Sequence, residues 1–387
     1  FNGEDYLGTL ANNGVGIAPV NSAAVPAELA QELEAAKQGI IKGTVNTGWG
    51  DYLTALGQKQ TEPEYLPIKV GMVTDAGGID DKSFNASGWM GVERAIADLK
   101  IDGSYLESQQ QTDYATNITQ FVKQEADLIV TVGFLLADDT AKFAAENPDI
   151  NFAIVDNNSL GPNVRGLTFS TDQAGFLAGY AAAAATKTGK VATFGGINIP
   201  PVTIFMVGFE AGVKYYNEQN GTAVEVLGWN SAENNGVFAG NFESTDDGRR
   251  IAEEFMSEGA DIIMPVAGPV GLGTAQAVQE AGNAWVVGVD TDWTISSPQY
   301  KDVMLTSVMK NIDVVVYDSI MKVATPGFAG FNGENYLGTL ANNGVGLAPV
   351  AAGAVSADVL KAVEDIKSGI MRGDIDSGWA AYLASLN

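Results

Sequence analysis

The sequence predicts an α/β architecture: two doubly wound halves facing each other across a cleft. Three observations carry this. Short apolar runs bounded by turn residues recur along the chain; helical patterns lie between them; and the alternation breaks near Asn157–Thr171 and again near Asp290–Pro298. The runs are Ile68–Thr74, Leu128–Gly133, Phe152–Val155, Lys190–Phe194, Val224–Leu227, Ile262–Val266, Val286–Val289 and Val303–Ser307. They are too uniformly apolar for a half-solvated sheet and read as buried parallel strands. The intervening helices are expected at Gly88–Leu99, Tyr114–Glu125, Ala137–Ala145, Asp172–Thr186, Phe205–Glu218, Asp246–Glu258 and Leu272–Ala281, with a last one at Asp313–Ala324. Phe205 and Phe209, one helical turn apart, read as core.

Composition narrows the functional classes. The 387 residues are 46% hydrophobic and 18% charged, enough to bury a core. Cysteine and histidine are both absent. That excludes disulfides, thiol nucleophiles, Cys/His zinc sites and any Ser–His or Cys–His catalytic pair. A net charge of −26 opposes nucleic-acid binding, because phosphate neutralisation would have the wrong sign. No cofactor and no metal site is expected. Ser307-Val-Met-Lys310 and Lys187-Thr-Gly imitate the motifs of penicillin-recognising enzymes, but in the wrong order and with no Ser-Asp-Asn between them.

The two ends of the chain repeat each other. Residues 1–57 align without gaps on 331–387 with about 31 identities over 57 positions. FNGEDYLGTLANNGVGIAPV at the start returns as FNGENYLGTLANNGVGLAPV at 331–350, and Trp49/Tyr52 return as Trp379/Tyr382. Each copy reads as a hairpin turning at Asn-Asn-Gly, followed by an amphipathic helix at 27–42 or 357–372 that closes on Gly43 or Gly373. The expected organisation is a duplicated tail at 1–57, a linker at 58–67, lobe one at 68–165, lobe two at 166–290, a return to lobe one at 291–330 and the second tail at 331–387. One fold has one slot for one tail. The first copy is therefore a spare, a swapped element or the end of a preceding unit. If it fills the tail slot of a neighbouring molecule, head-to-tail contacts would build an assembly or filament.

Ligands of open α/β sheets sit outside the carboxyl ends of the strands. Here those ends carry Asp75 with Phe84 and Asn85 close behind, Asp156, Gly268, Asp290 and Lys310. Acids, an amide, one lysine and loop aromatics suit a polyhydroxylated ligand with a flat ring.

VTDAGGIDDKSFNASGWMGVERA (73–95) resembles the opening motif of the basic-membrane-protein family of solute-binding lipoproteins, the purine-nucleoside receptors of ABC importers. FLAGYAAAAATKTGKVATFGGINIPPV (176–202), GFEAGVKYYN (208–217), GADIIMPVAGPVGLG (259–273), VVGVDTD (286–292) and LTSVMKNIDVVVYDSI (305–320) are similar to its later motifs, in order. The resemblance covers about 68–387. It implies a periplasmic-binding-protein fold of the first type, two Rossmann-like lobes closing on one ligand, and no catalysis. Matched by position, Phe84 and Phe242 would stack on the base, Asp75, Asn85 and Asp156 would meet the ring edge, and Gly268, Asp290 and Lys310 would hold the ribose. The lysine's charge would let Asp290 lose its water. Trp293 departs from the pattern, standing where many members have Gln. The resemblance also implies an ABC permease as partner and an extracytoplasmic location. The anchoring cysteine of a lipoprotein is absent from this sequence.

Overall fold

The computed structural model describes residues 64–386 and, before them, isolated positions between Glu32 and Thr47, of which those from Glu32 to Ile40 are helical. The rest of the first tail, including its hairpin and Gly43, and the linker up to residue 63 lie outside the described residues. Tyr65–Leu340 and Gly344–Asn387 form one compact unit.

In chain order this unit runs β1 (Lys69–Thr74), α1 (Phe84–Leu99), β2 (Asp102–Leu106), α2 (Tyr114–Lys123), β3 (Leu128–Val132), α3 (Ala137–Glu146), β4 (Asn151–Val155) and β5 (Val164–Phe169). It continues through α4 (Thr171–Ala185), β6 (Lys190–Gly195), α5 (Pro200–Asn220), β7 (Glu225–Leu227), β8 (Trp229–Asn230) and β9 (Asn235–Gly236). Then come α6 (Thr245–Ser257), β10 (Ile262–Val266), α7 (Val270–Ala281), β11 (Trp285–Asp290), α8 (Trp293–Ser296), β12 (Met304–Lys310) and α9 (Ile312–Ala324). The tail adds β13 (Asn335–Gly338), β14 (Val345–Leu347), α10 (Ala357–Arg372) and α11 (Trp379–Ser385).

Two six-stranded sheets result. The first has the order β13-β5-β4-β3-β1-β2 and is parallel throughout. The second has the order β14-β12-β11-β10-β6-β7, with β14 alone antiparallel. The apolar runs follow from double coverage. In the first sheet Val73, Ile129, Phe152 and Ile154 pack with Ile118, Phe121 and Phe143 of α2 and α3. Their neighbours Val70, Met72, Val130 and Val155 belong to a second cluster with Val92 and Ala95 of α1 and Val316 of α9. Alternate side chains thus fill two cores.

Three sequence expectations need correction. Lobe one's first stretch of chain runs through β5 to Phe169 rather than ending at residue 165. The segment 291–310 does not return to lobe one: β12 pairs with β11 in the second sheet, and only α9 goes back, to pack on α1. The polar stretch after Asp290 is a short helical connection within one sheet. The second tail is not a hairpin. β13 lies parallel to β5 in the first sheet, whereas β14 lies antiparallel to β12 in the second. An Asn-Asn-Gly turn is a local signal and says nothing about which strands its flanks find. The tail therefore stitches both lobes together, and the chain passes between them at Phe169–Thr171, at Lys310–Ile312 and between Gly338 and Val345.

Charge pins the tail to lobe one. Glu334 accepts from Arg165 (Nε 3.1 Å, Nη2 2.8 Å) and from Lys322 Nζ (2.8 Å). Arg165, buried, also meets Asp318 at 2.7 Å and donates to Ser319 Oγ at 2.8 Å. In lobe two, Tyr382 donates to Asn234 Oδ1 at 2.6 Å and Ser377 donates to Asp172. The helix reading of the tail holds: α10 spans 357–372 and ends on Gly373 in the left-handed region.

Lobe two's helices α4 and α5 meet through glycines. A Cβ on Gly179 would lie 2.0 Å from the Phe209 carbonyl oxygen, and one on Gly212 would lie 2.0 Å from that of Phe176. Gly179→Ala is expected to push the helices apart and destabilise the protein by roughly 1–3 kcal/mol, the range for overpacking. A chemical-denaturation midpoint unchanged from wild type would contradict this.

Candidate ligand-binding site

The carboxyl ends of both sheets face one shared cavity, where ligands of open α/β sheets sit. It is lined by every residue picked out from the sequence: Asp75, Phe84, Asn85, Asp156, Phe242, Gly268, Asp290 and Lys310. Asp75, Gly133 and Asp156 follow β1, β3 and β4; Gly268 and Asp290 end or follow β10 and β11; Lys310 ends β12.

Phe84 is the first residue of α1, whose start is fixed by Asp81. That carboxylate accepts from the backbone N–H groups of Ser83 (3.0 Å), Asn85 (2.6 Å) and Ala86 (2.9 Å), meeting donors a helix start otherwise leaves unpaired. Of the adjacent acids, Asp80 is solvated and paired with Lys82, whereas Asp81 is buried and lines the cavity. Phe242 sits on a loop folded by its neighbour. Asn241 Oδ1 accepts from the N–H groups of Glu243 (3.0 Å) and Ser244 (2.8 Å), and its amide donates to Asp247 at 3.1 Å. The ring leans over Gly196, where a Cβ would lie 2.3 Å from it.

Asp156 and Asp290 both adopt left-handed backbone conformations, with φ of 68° and 66°. Such geometry in non-glycine residues is sparse and clusters at functional sites. Lys310, 2% exposed, reaches across the lobes to Asp156, with Nζ 2.6 Å and 2.7 Å from its two oxygens. The ammonium also lies 4.7 Å from the Phe84 ring centre and 5.2 Å from that of Phe169. The direct partner of Lys310 is therefore Asp156, and its charge also favours the buried Asp290 carboxylate, as expected. The direct partner of Asp290 is the Ser83 hydroxyl, which donates at 2.7 Å, while Lys310 acts on Asp290 only through its charge. Burial pushes the carboxyls of Asp156 and Asp290 up, and Lys310's charge works against it in both. Ser83 Oγ also lies 3.3 Å from the Val289 carbonyl, and Thr291 Oγ1 donates to the Lys82 carbonyl at 2.9 Å. Together these contacts hold the lobes closed on the cavity.

Sequence reasoning missed the apolar floor. Ile199, Pro201, Val202 and Phe205, at the start of α5, line the cavity, so Phe205, buried in the core as expected, borders the cavity as well. Phe209 is fully buried, as expected. Trp293 does not line the cavity; its Nε1 donates to the Val289 carbonyl at 2.9 Å, beneath the end of β11. No metal-holding group of acids is found among the described residues, and no helix among them is long and apolar enough to cross a membrane.

Burial pushes the Asp81 carboxyl up to about 6 from 3.8, against the opposing pull of its backbone hydrogen bonds. The native state then binds more protons than the unfolded chain between those values, so this group's contribution to stability grows as pH falls from about 6 towards 4. Its size is on the order of 2–3 kcal/mol. Urea melts at pH 7, 6 and 5 should show wild type gaining on Asp81→Asn by that route. Parallel pH profiles would contradict it.

Two lobes joined by crossovers, with a cavity at the facing strand ends, make a two-lobed α/β ligand-binding fold. A family model described as Bmp, ABC transporter substrate-binding protein PnrA-like, matches residues 68–375, and the chain belongs to this family. It is 33% identical to a CD4+ T-cell-stimulating antigen of Listeria monocytogenes over 79% of this chain and 87% of that protein. It is likewise 33% identical to the ABC transporter nucleoside-binding protein BmpA of Lactococcus lactis, over 78% of this chain and 88% of that one. Among solved structures, a solute-binding protein of an ABC transporter system from Aeropyrum pernix K1 superposes with a TM-score of 0.72 at 27% identity, covering 80% of this chain and 93% of its own. The chain is thus a substrate-binding component of an ABC transporter, a class whose work is capture and not catalysis.

Proposed function

We propose that this protein captures a purine nucleoside outside the cytoplasmic membrane and delivers it to an ABC permease. The observation that carries the reading is the cavity's lining: Phe84 from one lobe and Phe242 from the other, among further apolar side chains, with acids, an amide and one lysine. Two aromatic faces bury a base whatever its identity. Carboxylates accept from ring N–H and ribose O–H groups. Gly268, at φ 55°, leaves only backbone on that side, so a sugar can approach closely. The nucleoside-binding relative in Lactococcus lactis supports the same class of ligand. The test is calorimetry with inosine, adenosine, guanosine and ribose. Micromolar or tighter binding of nucleosides, with ribose much weaker, is expected; no heat from any of the nucleosides would overturn the reading.

A second reading concerns self-association. The residues that dock the second tail recur in the first: Glu334 as Glu4, Tyr336 as Tyr6 and Tyr382 as Tyr52. Residues 1–57 therefore carry the side chains to fill the slot of a neighbouring copy. Glu334→Arg, which ejects the chain's own tail, is expected to produce oligomers in light scattering, and adding Glu4→Arg to remove them. A monomer at all concentrations would contradict this reading.

A further inference from the structure

Tyr114, the first residue of α2, is 1% exposed and does not line the cavity. Its hydroxyl donates to Asp75 Oδ1. The Ala76 N–H donates to the same oxygen at 2.8 Å. No described residue donates to Oδ2, and that oxygen lies over Gly133, where a Cβ would be 2.3 Å away. One oxygen of the carboxylate is saturated by the protein, and the other is left for whatever occupies the cavity.

A carboxylate held by two donors is an acceptor only. A ligand edge that presents a ring N–H completes it. An edge that presents a bare ring nitrogen sets lone pair against lone pair, and leaving a buried polar group unpaired is a strong source of discrimination. We infer that Tyr114 is a positioning residue that fixes Asp75 in this orientation and acceptor state, so that Oδ2 selects bases carrying a ring N–H donor over those carrying a ring acceptor. The inference rests on the nucleoside reading above.

The charged and titratable groups that act on Asp75 are Tyr114 from α2, Asp156 after β4 and Glu243 from the loop before α6. Burial raises the Asp75 carboxyl, the two acids raise it further, and the Tyr114 hydrogen bond opposes them. Without the phenol, Asp75 takes a proton at a higher pH and ceases to be a pure acceptor.

The test is calorimetry on the full chain between pH 5 and 8, with inosine as the N–H donor and adenosine as the acceptor, for wild type, Tyr114→Phe and Asp75→Asn. Tyr114→Phe is expected to weaken inosine roughly tenfold, about one hydrogen bond to a charged group, with a smaller effect on adenosine. Its loss of inosine binding on acidification should begin at higher pH than in wild type. Asp75→Asn, whose amide can also donate, should move the preference towards adenosine. Equal losses for both ligands with an unmoved acid limb would reduce Tyr114 to packing and overturn the inference alone. A wild type that binds neither nucleoside would overturn the underlying reading as well.

Discussion

Lys310→Met is expected to destabilise the protein by about 3–5 kcal/mol, the range for removing one partner of a buried ion pair, and to abolish nucleoside binding. The lysine is the cation against which Asp156 is buried, and its charge also acts on Asp290. Without it, burial acts on both carboxyls unopposed by that charge, and both rise further above 3.8. Groups so raised are protonated in the native state at pH values where the unfolded chain has lost the proton. The variant should therefore lose most at pH 7 and recover as pH falls. Lys310→Met combined with Asp156→Asn removes one of the stranded charges and should regain much of the stability but not the binding. Denaturant melts at pH 7 and 5, with calorimetry alongside, decide the matter. A loss below about 1 kcal/mol, under the range for a broken buried pair, with inosine still bound would contradict the role given to this residue.

The second large effect concerns the aromatic faces. Phe84→Ala and Phe242→Ala should each weaken nucleoside binding by roughly 1–3 kcal/mol, about one stacked base face, with little change in the weak binding of ribose. The two variants should differ in stability. Phe84 lies under the Lys310 ammonium at the head of α1 and its loss loosens that contact. Phe242 sits on a loop and takes no part in that contact, so its loss should be felt mainly by the ligand. Unchanged nucleoside affinity in both variants, or equal losses for ribose, would remove stacking from the account.

What the sequence made legible follows from where its signals come from. Strands covered on both faces are apolar at nearly every inner position, and β1, β3, β4, β10 and β11 could be read directly. β2 could not, because it is an edge strand with Asp102, Tyr105 and neighbours largely exposed. β5 was hidden by Arg165, a buried charge whose partners are Glu334 and Asp318, far away in sequence. The tail's strands were seen but paired wrongly, since turn residues report on the turn and not on distant sheets. The cavity residues were legible because they stand at strand ends in a run of distinctive motifs. Tyr114 was not: it begins an amphipathic helix, looks like core, and meets Asp75 across a sequence separation of 39. The pairing of Lys310 with Asp156 was likewise invisible, because sequence order does not tell which acid a cleft lysine reaches.

The central claim is that a nucleoside lies between the lobes with its base between Phe84 and Phe242. A crystal structure of the protein grown with inosine tests it most directly. The account predicts the base between the two rings, its edge towards Asp75 and Asn85, and the ribose against Gly268, Asp290 and Lys310. Inosine bound elsewhere, or the cavity holding inosine with its base outside the two phenylalanines, would contradict it.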